Sequence, residues 1–221
     1  MQHSLFAIAL TALISAAAPA LACSQPDLGP EVYCGTYRGG PKTSFYKTAI
    51  GRLGTFLHYD NLGHLLDSLP LDQEMRQLGG WRPTGPPSRI AEGMQNVEVP
   101  AYIVAVKPRE DDHDLHVIIS DRSRGARRHF MNVEVSGLPR DRVNEADFVR
   151  VRAEIRALLP EVDNGGGGNY IPINPPARVL IQGSLFFDGD HGAGCRNCPG
   201  PSWAKPTTVW EVHPVYSIKE Q

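Results

Sequence analysis

Apolar and polar positions alternate with a period of two along most of the C-terminal half, and switch once to a helical period. Val97, Val99, Ala101, Ile103 and Ala105 alternate with other residues in a long first strand that turns at Pro108. The second strand grows out of the acidic run Asp111-Asp112-His113-Asp114. Leu115, Val117 and Ile119 face one way, and His116, Ile118 and Ser120 the other. After a turn at Asp121–Gly125, the third strand, Arg128–Val135, places Met131, Val133 and Val135 on a shared face. Between Arg140 and Pro160 the period becomes helical, with Phe148, Val151, Ile155, Leu158 and Leu159 on one side. Glu145 and Asp147 stand near the helix start, where the dipole favours them, and Pro160 ends it. Beyond the glycine-rich loop Asn164–Asn169, the last two strands are Arg178–Asp188 and Thr208–Ile218. In the final strand Trp210, Val212, Tyr216 and Ile218 read as the core face, with Glu211, His213 and Val215 opposite.

The order strand, strand, strand, helix, strand, strand is that of the OB-fold, a five-stranded Greek-key barrel. The expected class is therefore mainly β: an OB-fold-like barrel over residues 97–221, with its one helix between strands three and four. Residues 23–96 carry little periodicity and read as an irregular N-terminal segment. Within it Leu62, Leu65, Leu66 and Leu69 have helical spacing and predict a satellite rather than part of the core. Gly79–Pro87, with three glycines and three prolines, reads as a linker, and the boundary falls near Asn96.

The N-terminus changes the picture. Residues 1–22 contain no Asp, Glu, Lys or Arg, run apolar from Leu5 to Ala18 and end in Ala20-Leu21-Ala22. This predicts a cleaved signal peptide and an exported, periplasmic or secreted, protein with no transmembrane span after cleavage. Cleavage would leave Cys23 first. Lipid anchoring there is the less favoured alternative, because Ala20 stands where lipoprotein signals favour Leu. The four cysteines Cys23, Cys34, Cys195 and Cys198 form an even set that favours disulfides in an oxidising compartment, with Cys23–Cys34 and Cys195–Cys198 the expected pairs. A four-cysteine zinc site is disfavoured, since Cys23 and Cys34 lack close ligand spacing.

With 22 basic against 24 acidic residues, the chain has no bulk field for nucleic acid or anionic membrane, so such a partner would need a local patch. The hairpin residues Arg122, Arg124, Arg127 and Arg128 supply one, at a place where OB-folds bind oligonucleotides and oligosaccharides. Single-strand binders also need aromatic platforms, and only Phe130, with His129 a poorer one, is near in sequence. Three histidine–carboxylate units also stand out: Asp112 and Asp114 with His116, Asp188 and Asp190 with His191, and Glu211 with His213. Imidazole and carboxylate together can hold a divalent metal, activate water or act as base and orienter. The same residues at strand ends also cap turns and satisfy backbone groups.

The pieces Asp112–Ile118, Phe186–Gly192 and Glu211–Ile218 resemble a recurring family of uncharacterised exported bacterial proteins with an OB-like barrel. In that family the first motif resembles Asp-x-Asp-x-His before an apolar strand, and the last Glu-x-His-Pro-Val-x-x-Ile. The resemblance covers about the C-terminal half, implies the barrel, and supplies no reaction; the insertion Cys195–Lys205 departs from it. Short signatures for a nucleophile elbow, a phosphate loop or a His-Glu-x-x-His helix are absent from the sequence. The expected function is an exported binding or accessory module of the bacterial envelope, for a small ligand or an envelope protein and with no cofactor. The alternative is a divalent-metal-dependent hydrolase, a nuclease among them, using the histidine–carboxylate residues.

Overall fold

The computed structural model describes residues 31–34, 42–47, 52–77, 95–107, 112–125, 128–164, 168–191, 195 and 197–221. The expected signal peptide, Cys23, Arg127 and the linker 79–87 lie outside the described residues. In chain order the elements are β1 (Phe56–His58), α1 (Leu62–Ser68), α2 (Asp72–Gln77), β2 (Asn96–Lys107), β3 (Leu115–Ser120), β4 (Phe130–Val135), α3 (Glu145–Leu158), α4 (Glu161–Asn164), β5 (Ile171–Phe187) and β6 (Trp210–Glu220). Single 3-10 turns at Gly189–His191 and Ser202–Ala204 interrupt the β5–β6 connection.

Strands β2-β3-β4-β6-β5 pair in that order, and β5 returns to β2 to close the barrel. The β4–β6 ladder is parallel and the other barrel ladders antiparallel, with α3 inserted between the third and fourth barrel strands. This is the strand order and helix placement of an OB-like barrel. The short β1 adds parallel to the start of β2, Phe56 beside Asn96.

The alternating apolar set fills the barrel. Val97, Val99, Ala101 and Ile103 of β2 meet Leu115, Val117 and Ile119 of β3 and Met131, Val133 and Val135 of β4, with Val151 and Ile155 of α3 packed among them. Leu62 and Leu65 of α1 and Met75 of α2 are buried in the same cluster, so these helices belong to the main core and are not the expected satellite. Asn61 starts α1 by accepting the His64 amide at 3.0 Å.

Irregular pairing in β2 and in β6 changes which side chains face inward. In β2 the register shifts between Ile103 and Ala105, so Ala105, expected inside, lies with Val104 and Ile118 in a separate outer apolar cluster, and Val106 resumes the core. In β6 two residues, His213 and Pro214, lie opposite the single residue Ser184 between the pairs Leu185–Val212 and Gly183–Val215. A bulge of this kind inverts the alternation beyond it, and a second register shift, between the pairs Gly183–Val215 and Gln182–Ser217, restores it at Ile218. Val215 is therefore a core residue, while Tyr216 turns outward to pack at 5.3 Å from Phe45 and 5.9 Å from Phe56. Gly183 allows the close approach: a Cβ there would lie 2.4 Å from Val212 Cγ1 and 2.7 Å from the Pro214 carbonyl oxygen. Strand β5 also begins at Ile171 rather than Arg178, because Ile171 and Pro172 pair with Val106 and Ala105 despite the prolines that follow.

Candidate functional site

The polar half of each alternation lands on the outer face of β3, β4 and β6. Register sets His116 beside Glu134 and Asn132 beside Glu211, and His213 follows Glu211 by one strand repeat. The site is thus a direct product of period two: Met131, Val133 and Val135 turn inward, and Asn132, Glu134 and Ser136 turn outward.

Glu134 is its centre. Its carboxylate lies 3.2 Å from His116 Nε2 and 2.9 Å from His213 Nδ1, and its Oε1 accepts a 2.7 Å hydrogen bond from the Asn132 amide. Asn132 donates a second, 2.9 Å bond to Glu211, whose Oε1 lies 2.9 Å from His213 Nδ1. On the other side of the ring, His213 Nε2 is 2.8 Å from Ser136 Oγ and 3.3 Å from Asp114 Oδ2. Asp114 is fixed in turn by the Gly137 amide at 2.7 Å.

The N-terminal segment covers this outer face. The Tyr33 amide donates to the Leu138 carbonyl at 2.9 Å and the Leu138 amide to the Glu31 carbonyl at 2.7 Å, Cys34 donates to the Asp112 carbonyl at 3.3 Å, and the Lys42 carbonyl accepts the Ser136 hydroxyl. The Lys42 side chain is buried and its Nζ lies 4.0 Å from Asp188. Arg152 of α3 donates to the Ser136 and His113 carbonyls at 2.9 and 3.1 Å and pairs with Glu31, which closes the rim. Asp114 and His213 consequently have 0% exposure.

The charges reinforce one another. Burial opposes ionisation of Glu134, but His116, His213 and Lys42 outweigh it and hold the carboxyl well below its usual range. Burial likewise opposes a charge on His213, yet Glu134 and Asp114 hold its imidazolium well above the ordinary histidine range. Lys42 follows the same pattern: burial is outweighed by Glu134, Asp188, Glu211 and Asp114. Burial and the Glu134 charge push Glu211 up to about 8, and burial with Asp114 and Glu134 pushes Asp112 up to about 6.

Ser136, His213 and Glu211 form a hydroxyl–imidazole–carboxylate chain, but the proton direction is opposite to that of a nucleophilic triad. The Ser136 hydroxyl donates to the Lys42 carbonyl and so accepts from His213, and both residues are fully buried. The group Asp114, Glu134 and His213, whose ligand atoms lie within 4.8 Å of one another, could hold a metal ion. Asp114 Oδ2 and Glu134 Oε2 lie beside the imidazole without hydrogen-bond geometry.

Of the sequence-derived residues, His116, His213, Glu211 and Asp114 converge here. Asp112 stands at the edge, its Oδ1 accepting the Asp114 amide at 3.2 Å. His191 does not reach Glu134; it lies 3.4 Å from Asp188, which connects to the cluster through Lys42. The Asp190 side chain lies outside the described residues. Sequence reasoning missed Glu134, Asn132, Ser136, Lys42 and Arg152. The polar parity of the third strand pointed to the first three, but nothing in it announced that the outer face would be covered.

The hairpin candidates lie at the surface. The Arg122 side chain is 67% exposed and pairs with Asp121 at 3.4 Å, Arg124 is exposed, and the Arg128 guanidinium stacks 5.0 Å from the Phe130 ring centre. Cys195 and Cys198 form a disulfide as expected; Cys34 is disulfide-bonded, and its expected partner Cys23 lies outside the described residues. No helix among the described residues is long and apolar enough to cross a membrane. Comparison with protein-family models, curated proteins and solved structures finds no match for the chain.

Proposed function

We propose that the protein is an exported binding or accessory module of the bacterial envelope, which engages an anionic ligand at the β3–β4 hairpin. The contrast in exposure carries this reading. The histidine–carboxylate cluster is sealed beneath the N-terminal segment and compensates its charges internally, whereas Arg122 and Arg124 are exposed, with Arg128 and Phe130 half-buried beside them, at a position where OB-folds take ligands. The cluster acts as an ionic fastening between that segment and the barrel. The signal-like N-terminus, the Cys195–Cys198 disulfide and the resemblance to exported OB-like proteins support the envelope assignment.

The test is binding of labelled dextran sulfate, a simple polyanion. Replacing Arg122, Arg124 and Arg128 together by Gln should abolish it while the melting temperature stays within a few degrees. Undiminished binding by the triple variant would remove the hairpin from the reading.

A divalent-metal-dependent hydrolase is the second reading, favoured by the Asp114, Glu134 and His213 grouping. It predicts manganese- or zinc-dependent cleavage of bis(4-nitrophenyl) phosphate that disappears on His213→Gln. Activity with those properties would replace the binding-module reading.

A further inference from the structure

Near the hairpin in sequence, the one good aromatic platform is Phe130. The barrel changes that by bringing aromatic residues from distant strands onto the same outer face. Register aligns Tyr102 of β2, Ser120 of β3 and Phe130 of β4 in a row across three adjacent strands, and places Arg178 of β5 beside Tyr102. Ser120 is fully buried between two partly buried rings. The rings stand two strands apart, about 10 Å by ordinary sheet spacing.

Tyr170 joins the same surface. Tyr102, Phe130 and Tyr170 all pack on the outer apolar cluster Val104, Ala105, Ile118 and Ala204, to which the bulge in β2 adds Ala105 and the β5–β6 connection supplies Ala204. Each ring is near a cation. Arg128 lies 5.0 Å from the Phe130 centre, Lys107 lies 6.0 Å from the Tyr170 centre, and exposed Arg178 flanks Tyr102. The carboxylates and amide that could bind sugar hydroxyls on this face, Glu134, Glu211 and Asn132, are consumed in the buried network.

We infer that Tyr102, Phe130 and Tyr170, with Arg128, Arg178 and Lys107, form a binding face for single-stranded nucleic acid. Flat apolar rings at strand spacing accept unpaired bases, and the adjoining cations meet the phosphates. A duplex keeps its base faces stacked and cannot use the platform. This inference rests on the binding-module reading and adds the ligand class.

Fluorescence anisotropy with the mature full-length chain separates the two. The probes are a labelled oligothymidylate, an abasic phosphodiester of equal length, a duplex and labelled dextran sulfate. Oligothymidylate should bind roughly tenfold or more tighter than the abasic chain, the gain expected from stacked bases. Tyr102→Ala and Phe130→Ala should each erase most of that preference, and Tyr102→Phe should keep it. Arg128→Gln and Arg178→Gln should reduce the salt dependence for every polyanion. Thermal melts establish that each variant is folded. Equal binding of the oligothymidylate and abasic probes, or a preference for dextran sulfate, overturns the nucleic-acid assignment and leaves the anion-binding module standing. Absence of binding to all four removes both.

Discussion

Glu211 and His213 are two residues apart, and the fold gives both unusual proton affinities in the same direction. Glu211 retains its proton up to about pH 8, while an unfolded glutamate releases it near 4.3. Between those values the folded state binds more protons than the unfolded one, so stability falls as pH rises through the window. His213, held well above an unfolded histidine, extends the fall beyond about pH 6.5, and Asp112 adds to it up to about 6. Glu134 acts oppositely: its stabilising charge is present above about pH 4.3 and is lost in acid as pH falls through its lowered folded value. Urea unfolding of chelator-treated protein at pH 5 and 9 should therefore show a loss of a few kcal/mol at the higher pH, at about 1.4 kcal/mol for each tenfold change in proton affinity. Glu211→Gln, which keeps a neutral polar group beside Asn132, should shrink that loss and leave the His213 share. An unchanged loss in the variant would mean that Glu211 is ionised in the fold at neutral pH.

At the level of the strand, the bulge in β6 decides which residues support the barrel. Trp210→Ala should cost about 3–5 kcal/mol by emptying a buried aromatic position. Val215→Thr should cost about 1–3 kcal/mol, since it buries a hydroxyl beside Val212 and Ile218. Tyr216→Thr should be milder. Denaturant melts rank the three, and a neutral Val215→Thr would contradict the inverted register. The sequence periodicity was sufficient for β3, β4 and α3, whose inward residues follow an unbroken repeat. It failed at Ala105, Val215 and Tyr216 because an inserted residue inverts parity without leaving a local mark, and Gly183, which permits the β6 bulge, lies in another strand. The prolines after Ile171 hid the start of β5 because strand propensity assumes a ladder on both sides. The site was half legible for a related reason. Asp114, His116, Glu211 and His213 stand out as motifs, whereas Glu134 and Lys42 matter only through partners that tertiary structure supplies.

At the scale of the whole molecule, barrel and N-terminal helices share one interior. Leu62→Ala and Met75→Ala should each remove about 2–5 kcal/mol, the range for truncating a buried aliphatic side chain. Far-ultraviolet circular dichroism and tryptophan fluorescence should follow a single transition in both variants. An early, separate melting of the α1–α2 region would show that it is an independent layer. The ionic fastening at Glu134 operates at the same scale, since it joins Lys42 of the N-terminal segment to three barrel strands and, through Ser136, to Arg152 of α3.

The parallel pairing of β4 with β6 has a consequence for the order in which the chain can mature. A polypeptide emerging from its N-terminus presents Asn132 and Glu134 long before Glu211, which lies 79 positions beyond Asn132, and before His213. Until those last residues arrive, Glu134 has the His116 imidazole beside it but neither the His213 imidazole nor the pairing of β4 with β6. Completion of the buried cluster is therefore deferred until the final strand has been made.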